Sequence, residues 1–414
     1  MNRPTWLTEH RLRSHGLLLA ITVWSLYVWT LATPTLRDRN GNLKGTDFLH
    51  FYTVGSLAIE HRGTDLYDIS AQAKLAAERV PEATGIRYLP LYPPQVSLLF
   101  MPFAHLSYQG ALALWWFCTA VVYGLCCYGV WRLCPNLKDH GVTVLILVAG
   151  YPAFFHLIAW GQTSALALAC FAGFFWLIRR RRDFLAGLAL GCLVFKPQLG
   201  VAAAVLFVAL GAWKVVLGAC FSALAEMAIG VLYYGIEPLR TWVHTLWNVR
   251  AVSAMLEPRP YQTHCLRTFW SMLIPWSPVS AVLYGISAIV VIAWTIKVWK
   301  CSVASPQQFS MVLLATVLVA PHLTVYDLVI LAPAILFLSD WLIGQPRTQQ
   351  GSLMGTLLYL VYVLPLIGPL ARWTHVQLSV VAMGALAYLI TKTIGSRGSP
   401  QTIGIPVSAQ AART

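Results

Sequence analysis

The sequence predicts an all-α integral membrane protein, and three observations indicate this class. Of the 414 residues, 58% are hydrophobic and 11% are charged, whereas soluble domains carry about 25% charged residues. The mean hydropathy is +0.65. Apolar runs recur from Leu17 to Leu389, which favours one continuous helical bundle over a soluble domain with a membrane anchor.

The charged and sulfur-containing residues agree with this class. The formal net charge is +14, but Lys and Arg stand at the ends of apolar runs, where membrane topology selects them. No nucleic-acid partner is therefore expected. The nine cysteines lack metal or disulfide spacing, and most lie inside apolar runs as small hydrophobic residues. The RRRR run at Arg179–Arg182 is predicted to be a topogenic anchor whose only partners are lipid headgroups.

The first apolar run, Leu17–Ala32, is predicted to span the membrane as a helix. Arg3, Arg11 and Arg13 precede it, which places the N-terminus in the cytoplasm. Residues 34–92 then form a first external loop. In this loop, apolar spacing predicts a helix over Phe48–Ile59 that lies in the membrane interface, and a second over Ile69–Val80, capped by Asp68 or Ser70.

The apolar stretch Pro93–Leu106 is short and contains three prolines, so we expect it to be re-entrant rather than spanning. A full crossing would place Arg179–Arg182 outside, whereas a re-entrant segment leaves every later basic loop inside. The later spans are predicted at 109–131, 141–158, 162–178, 184–195, 198–211, 214–234, 279–299, 309–320, 325–341, 352–371 and 376–394. With the first helix they make about twelve, and both termini are cytoplasmic.

Residues 1–394 are thus predicted to form a single polytopic membrane domain, with a second external loop at 235–278. Residues 395–414 are predicted to be a disordered cytoplasmic tail. Two helical pairs, 184–195 with 198–211 and 309–320 with the run after it, are shorter than full spans. Broken helices are tolerated where their backbone faces protein or a water-filled cavity.

Under this topology the unusual polar residues collect on the outer face. Ionisable residues at membrane depth are costly and are therefore candidates for function. From the first loop come Asp47 and His50, from the turn WGQTS comes Gln162, and from FKPQ at a hairpin tip comes Lys196. The second loop and the segment PHLTVYD at 321–327 supply the others: His244, Asn248, Arg250, Arg259, Gln262, His264, Arg267 and His322.

Each candidate also has a structural interpretation. Asp47 is either a helix N-cap or a general base, and the two roles are compatible. Lys196 either binds phosphate or closes a turn with its charge at the membrane surface. Gln162 and His322 either act on substrate or form hydrogen bonds within the bundle. His264 and Arg267 are either ligands or solvated loop residues.

The residues fit sugar transfer from a phospholipid carrier. An acceptor hydroxyl needs a base, which one carboxylate supplies, and a phosphate leaves as a stable anion without an acidic partner. Inverting glycosidases, in contrast, need two carboxylates. Positive charge around the phosphate is then required, and Lys196, His322 and an arginine of the second loop suit this role. No protease, hydrolase, P-loop or Cys/His metal motif is found.

The ordered segments TDFLHFY, GTDLYD, YLPLYPP, GQTSALAL, AGLALGCLVFKPQ and PHLTVYDLVIL resemble glycosyltransferase family 87, a group of polytopic enzymes of the GT-C superfamily. The similarity runs from about Asp47 to Leu331. It implies a GT-C-type bundle with interfacial helices in the first external loop. It also implies a polyprenyl-phosphate sugar donor, often mannose, and inversion at the anomeric carbon.

The resemblance also implies roles for individual residues. The catalytic aspartate of the family falls on Asp47, the Gly-Gln turn on Gly161–Gln162, the Lys-Pro pair on Lys196–Pro197, and the late His-containing segment on His322. Metal is common in the GT-C fold, but no acidic pair is placed here to bind it, so no metal or other cofactor is expected.

The function predicted from the sequence is a membrane hexosyltransferase, with mannose favoured as the sugar. It uses a polyprenyl-phosphate donor and a glycolipid or glycan acceptor in a cell-envelope reaction outside the cytoplasmic membrane. Asp47 is predicted to be catalytic. Donor-phosphate binding is assigned to Lys196, His322 and Arg267. Other substrate contacts are assigned to His50, Tyr52, Gln162, Gln262 and His264.

Two other functions are open at this point. A transporter or flippase of lipid-linked sugars would carry inverted repeats or paired charges at mid-membrane, and the sequence has neither. A partner-binding scaffold with this fold and no activity is the other possibility. Asp47, Lys196 and His322 favour the enzyme.

Overall fold

The protein is built from helices. The computed structural model describes residues 8–248, 259–301, 305–346 and 348–395. In these ranges there is no β-strand, and the two isolated bridges pair Arg37 with Leu43 and Thr263 with Thr324. The all-α prediction is therefore confirmed. Most of the predicted tail, and Arg250 of the second loop, lie outside the described residues.

The helices follow one another with short connections. In the first half they are α1 (Glu9–Leu31), α2 (Phe48–Ile59), α3 (Ile69–Arg79), α4 (Gln95–Ala104), α5 (Tyr108–Trp131), α6 (Gly141–Ala149), α7 (Pro152–Trp160), α8 (Ser164–Arg179) and α9 (Asp183–Gly191). In the second half they are α10 (Pro197–Ala209), α11 (Trp213–Tyr234), α12 (Glu237–Trp247), α13 (Leu266–Leu273), α14 (Ser277–Cys301), α15 (Pro306–Val319), α16 (Ala332–Ile343), α17 (Gln349–Val363), α18 (Ala371–Thr374) and α19 (Leu378–Gly395).

Six helical segments of the described chain are long and apolar enough to cross a membrane, or seven if the bent pair α6–α7 counts as one span. The protein is thus a multi-pass membrane protein. The other predicted spans correspond to apolar helices of 10–17 residues, and about twelve crossings stays a prediction. The stretch predicted to be re-entrant contains α4, which has ten residues with Pro102 inside it and is too short to cross as a straight helix.

Helix α2 is confirmed at its predicted bounds, but its surroundings differ from those of a helix lying on a membrane surface. Every residue from Phe48 to Ala58 is buried in the protein. The Phe51 ring stacks on Phe100 of α4, with 4.6 Å between ring centroids. The next helix, α3, is capped by Asp68, whose side chain accepts hydrogen bonds from the backbone N–H groups of Ser70 and Ala71.

The predicted span 141–158 is broken into α6 and α7, with a bend of 45°. Gly150 ends α6 and Pro152 is the first residue of α7. Proline disfavours a helical conformation in the residue before it, which explains why Tyr151 adopts an extended conformation. The break brings the end of α7 to Asp47, whose backbone N–H donates to the Trp160 carbonyl at 3.0 Å.

Gly161 forms the turn between α7 and α8 in a left-handed conformation, with φ of +68°. A Cβ atom at this position would lie 2.7 Å from the Cβ of Phe48. The indole N–H of Trp115 donates to the Gly161 carbonyl at 2.9 Å. This turn therefore fixes Gln162 against the start of α2.

We expect Gly161→Ala to lower the free energy of unfolding by about 2 kcal/mol or more, because a left-handed conformation costs an L-residue about 1–2 kcal/mol and the new methyl group meets Phe48. Thermal unfolding in detergent measures this. Gly124→Ala in α5 is the matched control, since nothing lies within 4 Å of the added Cβ. Equal melting temperatures for the two variants would contradict the role of the turn.

Candidate active site

The Asp47 carboxylate lies at the start of α2 and is half-buried. It makes no capping hydrogen bond to that helix, so the N-cap interpretation is wrong. Instead, Oδ2 of Asp47 accepts a hydrogen bond from Nε2 of Gln162 at 2.6 Å. The carboxylate is thus held by a side chain from a different part of the chain and retains access to solvent.

Gln162 is held in turn by Tyr92, a residue of the YLPLYPP segment. The Tyr92 hydroxyl donates to Oε1 of Gln162 at 3.3 Å, and the Gln162 side chain is almost fully buried. These contacts orient the amide so that its NH2 group points to Asp47. A chain of hydrogen bonds therefore joins Asp47 and Gln162, both predicted to lie on the outer face, to the YLPLYPP segment.

Burial raises the pKa of Asp47 to about 6, and the Gln162 hydrogen bond and the Lys196 charge oppose this rise. A carboxyl group with this pKa is ionised at neutral pH but is a stronger base than an ordinary aspartate. A general base is most effective when its pKa lies near the working pH. Asp47 has the protonation behaviour that a proton acceptor needs.

A buried ionic network lies next to this carboxylate. Nζ of Lys196 is 2.8 Å from Oδ1 of Asp327 and 2.9 Å from Oγ of Ser164. Ser164 also donates to Oδ1 of Asp327 at 2.6 Å. Both charged side chains are 3% exposed. The second oxygen of Asp327 accepts hydrogen bonds from the backbone N–H and the hydroxyl of Thr324.

Asp327 is the functional candidate that the sequence analysis missed. It stands in the segment PHLTVYD, of which only His322 was singled out. The signal was present, because an aspartate directly before an apolar run is costly unless it is paired. The partner was not apparent from the sequence, since Lys196 lies more than a hundred residues earlier in the chain.

Aromatic rings line the surroundings of the network and the carboxylate. Nζ of Lys196 lies 5.0 Å from the ring centroid of Tyr326, and that ring is 5.9 Å from the ring of Trp160. The Tyr88 hydroxyl donates to the backbone carbonyl of Thr46, directly before Asp47. Rings of this kind form apolar surfaces on which sugar faces stack.

Two residues of α2 predicted to contact substrate are buried. His50 is 5% exposed and lies against the rings of Tyr88 and Tyr92. Burial lowers the pKa of His50 to about 4, so its ring is neutral at pH 7. Tyr52 donates to the Leu106 carbonyl at 2.9 Å. Their substrate contacts stay predictions, and the contacts seen here shape the wall behind Asp47.

The described part of the second loop packs along residues 321–324. The His264 backbone N–H donates to the Leu323 carbonyl at 3.0 Å, and its Nδ1 lies 2.7 Å from the Ser379 hydroxyl. Arg267 donates to the Pro321 carbonyl, next to the half-buried His322. Gln262 ends a short 3-10 turn and is half-buried.

The structure therefore brings together three predicted residues: Gln162 is hydrogen-bonded to Asp47, and Lys196 acts on Asp47 through its charge. Arg267 and His322 adjoin them on the segment that leads to Asp327, and His264 lies buried behind that segment. Among the described residues, no group of three or more His, Cys, Asp or Glu side chains is arranged to hold a metal ion.

The fold and this site define a multi-pass helical membrane protein with an accessible carboxylate beside a buried cation. The sequence model of glycosyltransferase family 87 matches residues 91–325, which is more than half of the chain. The protein therefore belongs to this family of glycosyltransferases. The matched segment contains Gln162, Lys196 and His322, whereas Asp47 lies before it and Asp327 just after it. No curated protein and no solved structure matches the chain.

Proposed function

We propose that this protein transfers a hexose, with mannose favoured, from a polyprenyl-phosphate donor to an acceptor hydroxyl of a glycolipid or glycan. The observation that carries the proposal is the half-buried Asp47 carboxylate, held by Gln162 and influenced by the charge of Lys196. Family membership supports sugar transfer, and the membrane fold suits a donor with a lipid chain.

In the proposed reaction, Asp47 removes the proton of the acceptor hydroxyl as its oxygen attacks the anomeric carbon. The bond between that carbon and the phosphate oxygen breaks, and the phosphate leaves with the electron pair. One displacement inverts the anomeric configuration. The proton on Asp47 then passes to solvent, which the exposed part of the side chain permits.

Positive charge near the leaving phosphate stabilises the transition state. We assign this role to His322 and Arg267, together with Lys196, whose ammonium group has three N–H donors. Two of these donors have partners, Ser164 and Asp327. Because Lys196 is buried and paired, we expect its main effect to be electrostatic and positional. Gln162 orients Asp47 by donating a hydrogen bond to it. Gln162 also accepts a hydrogen bond from Tyr92 and so holds the Tyr92 ring beside the site.

The positions of the basic residues support an outward-facing site at the cytoplasmic membrane with cytoplasmic termini. Basic residues stand at one end of five helices, at the C-terminal ends of α5, α8, α14 and α19 and at the start of α11. These residues are Arg132, Arg179–Arg182, Lys214, Lys297, Lys300 and Lys392. Since cytoplasmic loops carry an excess of Lys and Arg, the carboxylate end of the bundle faces outward.

The experiment that tests this function is sugar transfer by the reconstituted full-length protein. Radiolabelled polyprenyl-phosphate mannose is supplied with membrane lipids and glycans as acceptors, and the glucose and arabinose donors are compared. We expect label in a lipid or glycan product with at least one donor. Passage of intact donor across the bilayer without a glycosylated product would instead identify a flippase.

We expect the rate of transfer, measured as kcat/KM, to rise with pH and to reach half of its maximum near pH 6, because Asp47 must be ionised to act and burial raises its pKa to about 6. The Gln162 hydrogen bond lowers that pKa, so Gln162→Leu should move the midpoint to higher pH. The measurement is the pH profile of kcat/KM for the acceptor in both proteins, at saturating donor.

Gln308→Leu provides the control, because Gln308 is also buried but donates to the Trp299 carbonyl near the end of α14. Its profile should keep the wild-type midpoint. A Gln162→Leu midpoint at or below that of the wild type would contradict the proposed role of this hydrogen bond.

A further inference from the structure

A cavity of about 590 Å³ lies in the bundle, away from Asp47. Its walls come from α1, α5, α6, α16 and α17. The residues near its opening include Glu9, Ile343 and Thr348, which are all exposed. These residues lie at the start of α1, the end of α16 and the start of α17, and thus at the opposite end of the bundle from the candidate active site.

The inner part of the cavity is apolar. Tyr123, Tyr151 and Tyr362 line it, but their hydroxyl groups donate to the backbone carbonyls of Val148, Leu328 and Leu147. These tyrosines therefore face the cavity with their ring surfaces, since their hydroxyl protons are already used in hydrogen bonds to the backbone. Leucine, isoleucine and valine side chains supply much of the remaining wall. An apolar chain fits such a surface, whereas a sugar or a nucleotide would lose its hydrogen bonds there.

The depth of the cavity matches one leaflet of a bilayer. The wall formed by α16 extends from Ala332 to Ile343, which is 12 residues, or about 18 Å at about 1.5 Å per residue. Half of a hydrocarbon core of about 30 Å is about 15 Å. The volume is also typical of ligand pockets, which measure about 300–1,000 Å³. One lipid chain, entering from the leaflet at this end, would fill it.

Charges of both signs stand at the opening. Oε1 of Glu9 accepts hydrogen bonds from Nδ1 of His140 at 2.8 Å and from the hydroxyl of Thr143 at 3.0 Å. Among the described residues, none is hydrogen-bonded to Oε2 of Glu9. Arg13 follows Glu9 by four residues in α1, so the two side chains lie on the same face of the helix. A carboxylate beside a guanidinium group complements a headgroup that carries both an ammonium and a phosphate.

We propose that this cavity binds a phosphatidylethanolamine-type phospholipid, with one acyl chain inside and the ammonium group at Glu9. A polyprenyl-phosphate donor is a poorer occupant, because its phosphate would lie at the end of the bundle opposite to Asp47. The site is therefore a structural lipid site of the inward leaflet under the proposed topology. Lipid binding here does not depend on the identity of the transferred sugar.

The test uses the full-length protein in nanodiscs with a phosphatidylethanolamine that carries a photoreactive diazirine on one acyl chain. After irradiation and digestion, mass spectrometry locates the label. We expect it on cavity residues such as Val144, Leu336 and Leu358. Ser339→Trp, which fills the cavity, should reduce this label about tenfold, a loss of about 1.4 kcal/mol in binding.

Ala225→Trp on α11 is the matched control, because Ala225 faces outward from the bundle and its replacement leaves the cavity open. Label that is equal in both variants, or that is confined to outward-facing residues, would overturn the site. Unlabelled phosphatidylethanolamine should compete better than phosphatidylglycerol, and Glu9→Gln should abolish this preference. Equal competition by the two lipids in the wild-type protein would refute the assignment of the headgroup. Competition by polyprenyl phosphate would refute the proposal that the occupant is a phospholipid.

Discussion

Asp47→Asn should lower kcat for sugar transfer by about 10²–10⁴-fold, the usual contribution of general acid–base catalysis, and leave the protein folded. Asparagine has the same shape, and its carbonyl oxygen still accepts from Gln162. It cannot take the acceptor proton. Because burial disfavours the ionised carboxylate, removal of this charge should leave the melting temperature unchanged or raise it. The measurements are kcat and thermal unfolding in the same detergent.

Glu78→Gln is the matched control for this prediction. Glu78 is an exposed carboxylate of α3, in the same loop as Asp47, and its nearest cation is Lys74 at 4.0 Å. The control should retain wild-type kcat. If Asp47→Asn were folded and turned over at the control rate, the base would have to lie elsewhere.

Asp327→Asn should have the largest effect on stability, about 3–5 kcal/mol, because it leaves the Lys196 charge buried without its partner. The side chains of the pair are 3% exposed, so solvent compensates little for the loss. Unfolding by denaturant measures the free energy. Glu237→Gln, which removes an exposed partner of Arg240 at 3.5 Å, should change it by less than about 1 kcal/mol.

The double variant Lys196→Met with Asp327→Leu removes both charges together. It therefore separates the contribution of the ion pair from the cost of leaving one charge buried alone. Replacement of a buried ion pair by apolar residues is often neutral, so this variant should be more stable than either single variant. The Lys196 charge also lowers the pKa of Asp47, so Lys196→Met should shift the pH profile of activity upward. Additive losses of stability, with no shift of the profile, would show that the network is not coupled in this way.

The helices were largely predictable from the sequence because apolar periodicity and proline reveal local structure. Helix α2 and the cap at Asp68 follow from such signals, as do the ends of α5 and the interruption at Lys196–Pro197. The break at Tyr151 was missed, since a run of apolar residues on both sides of Pro152 conceals a bend. The complete burial of α2 was missed too, because it depends on aromatic residues of α4 and the turn at Gly161.

The candidate site was predictable in part for the same reason. Asp47, Gln162 and Lys196 stand out as polar residues at the ends of apolar segments. The distances between the side chains of the site could not be predicted, because they depend on how helices that are far apart in the sequence pack against each other. The Lys196–Asp327 pair joins α10 to the segment before α16, and no local pattern reveals it. The contact of Gln162 with Asp47 likewise replaced a cap that the position of Asp47 had suggested.

The anomeric configuration of the product tests the central claim most directly. A carboxylate that acts as a base on the acceptor gives one displacement, whereas the same carboxylate acting as a nucleophile gives two. The donor is polyprenyl-phosphate hexose of known configuration, and proton NMR of the purified product reports the linkage. We expect inversion by the wild-type protein. Retention would contradict Asp47 as the general base and would indicate a covalent glycosyl-enzyme intermediate.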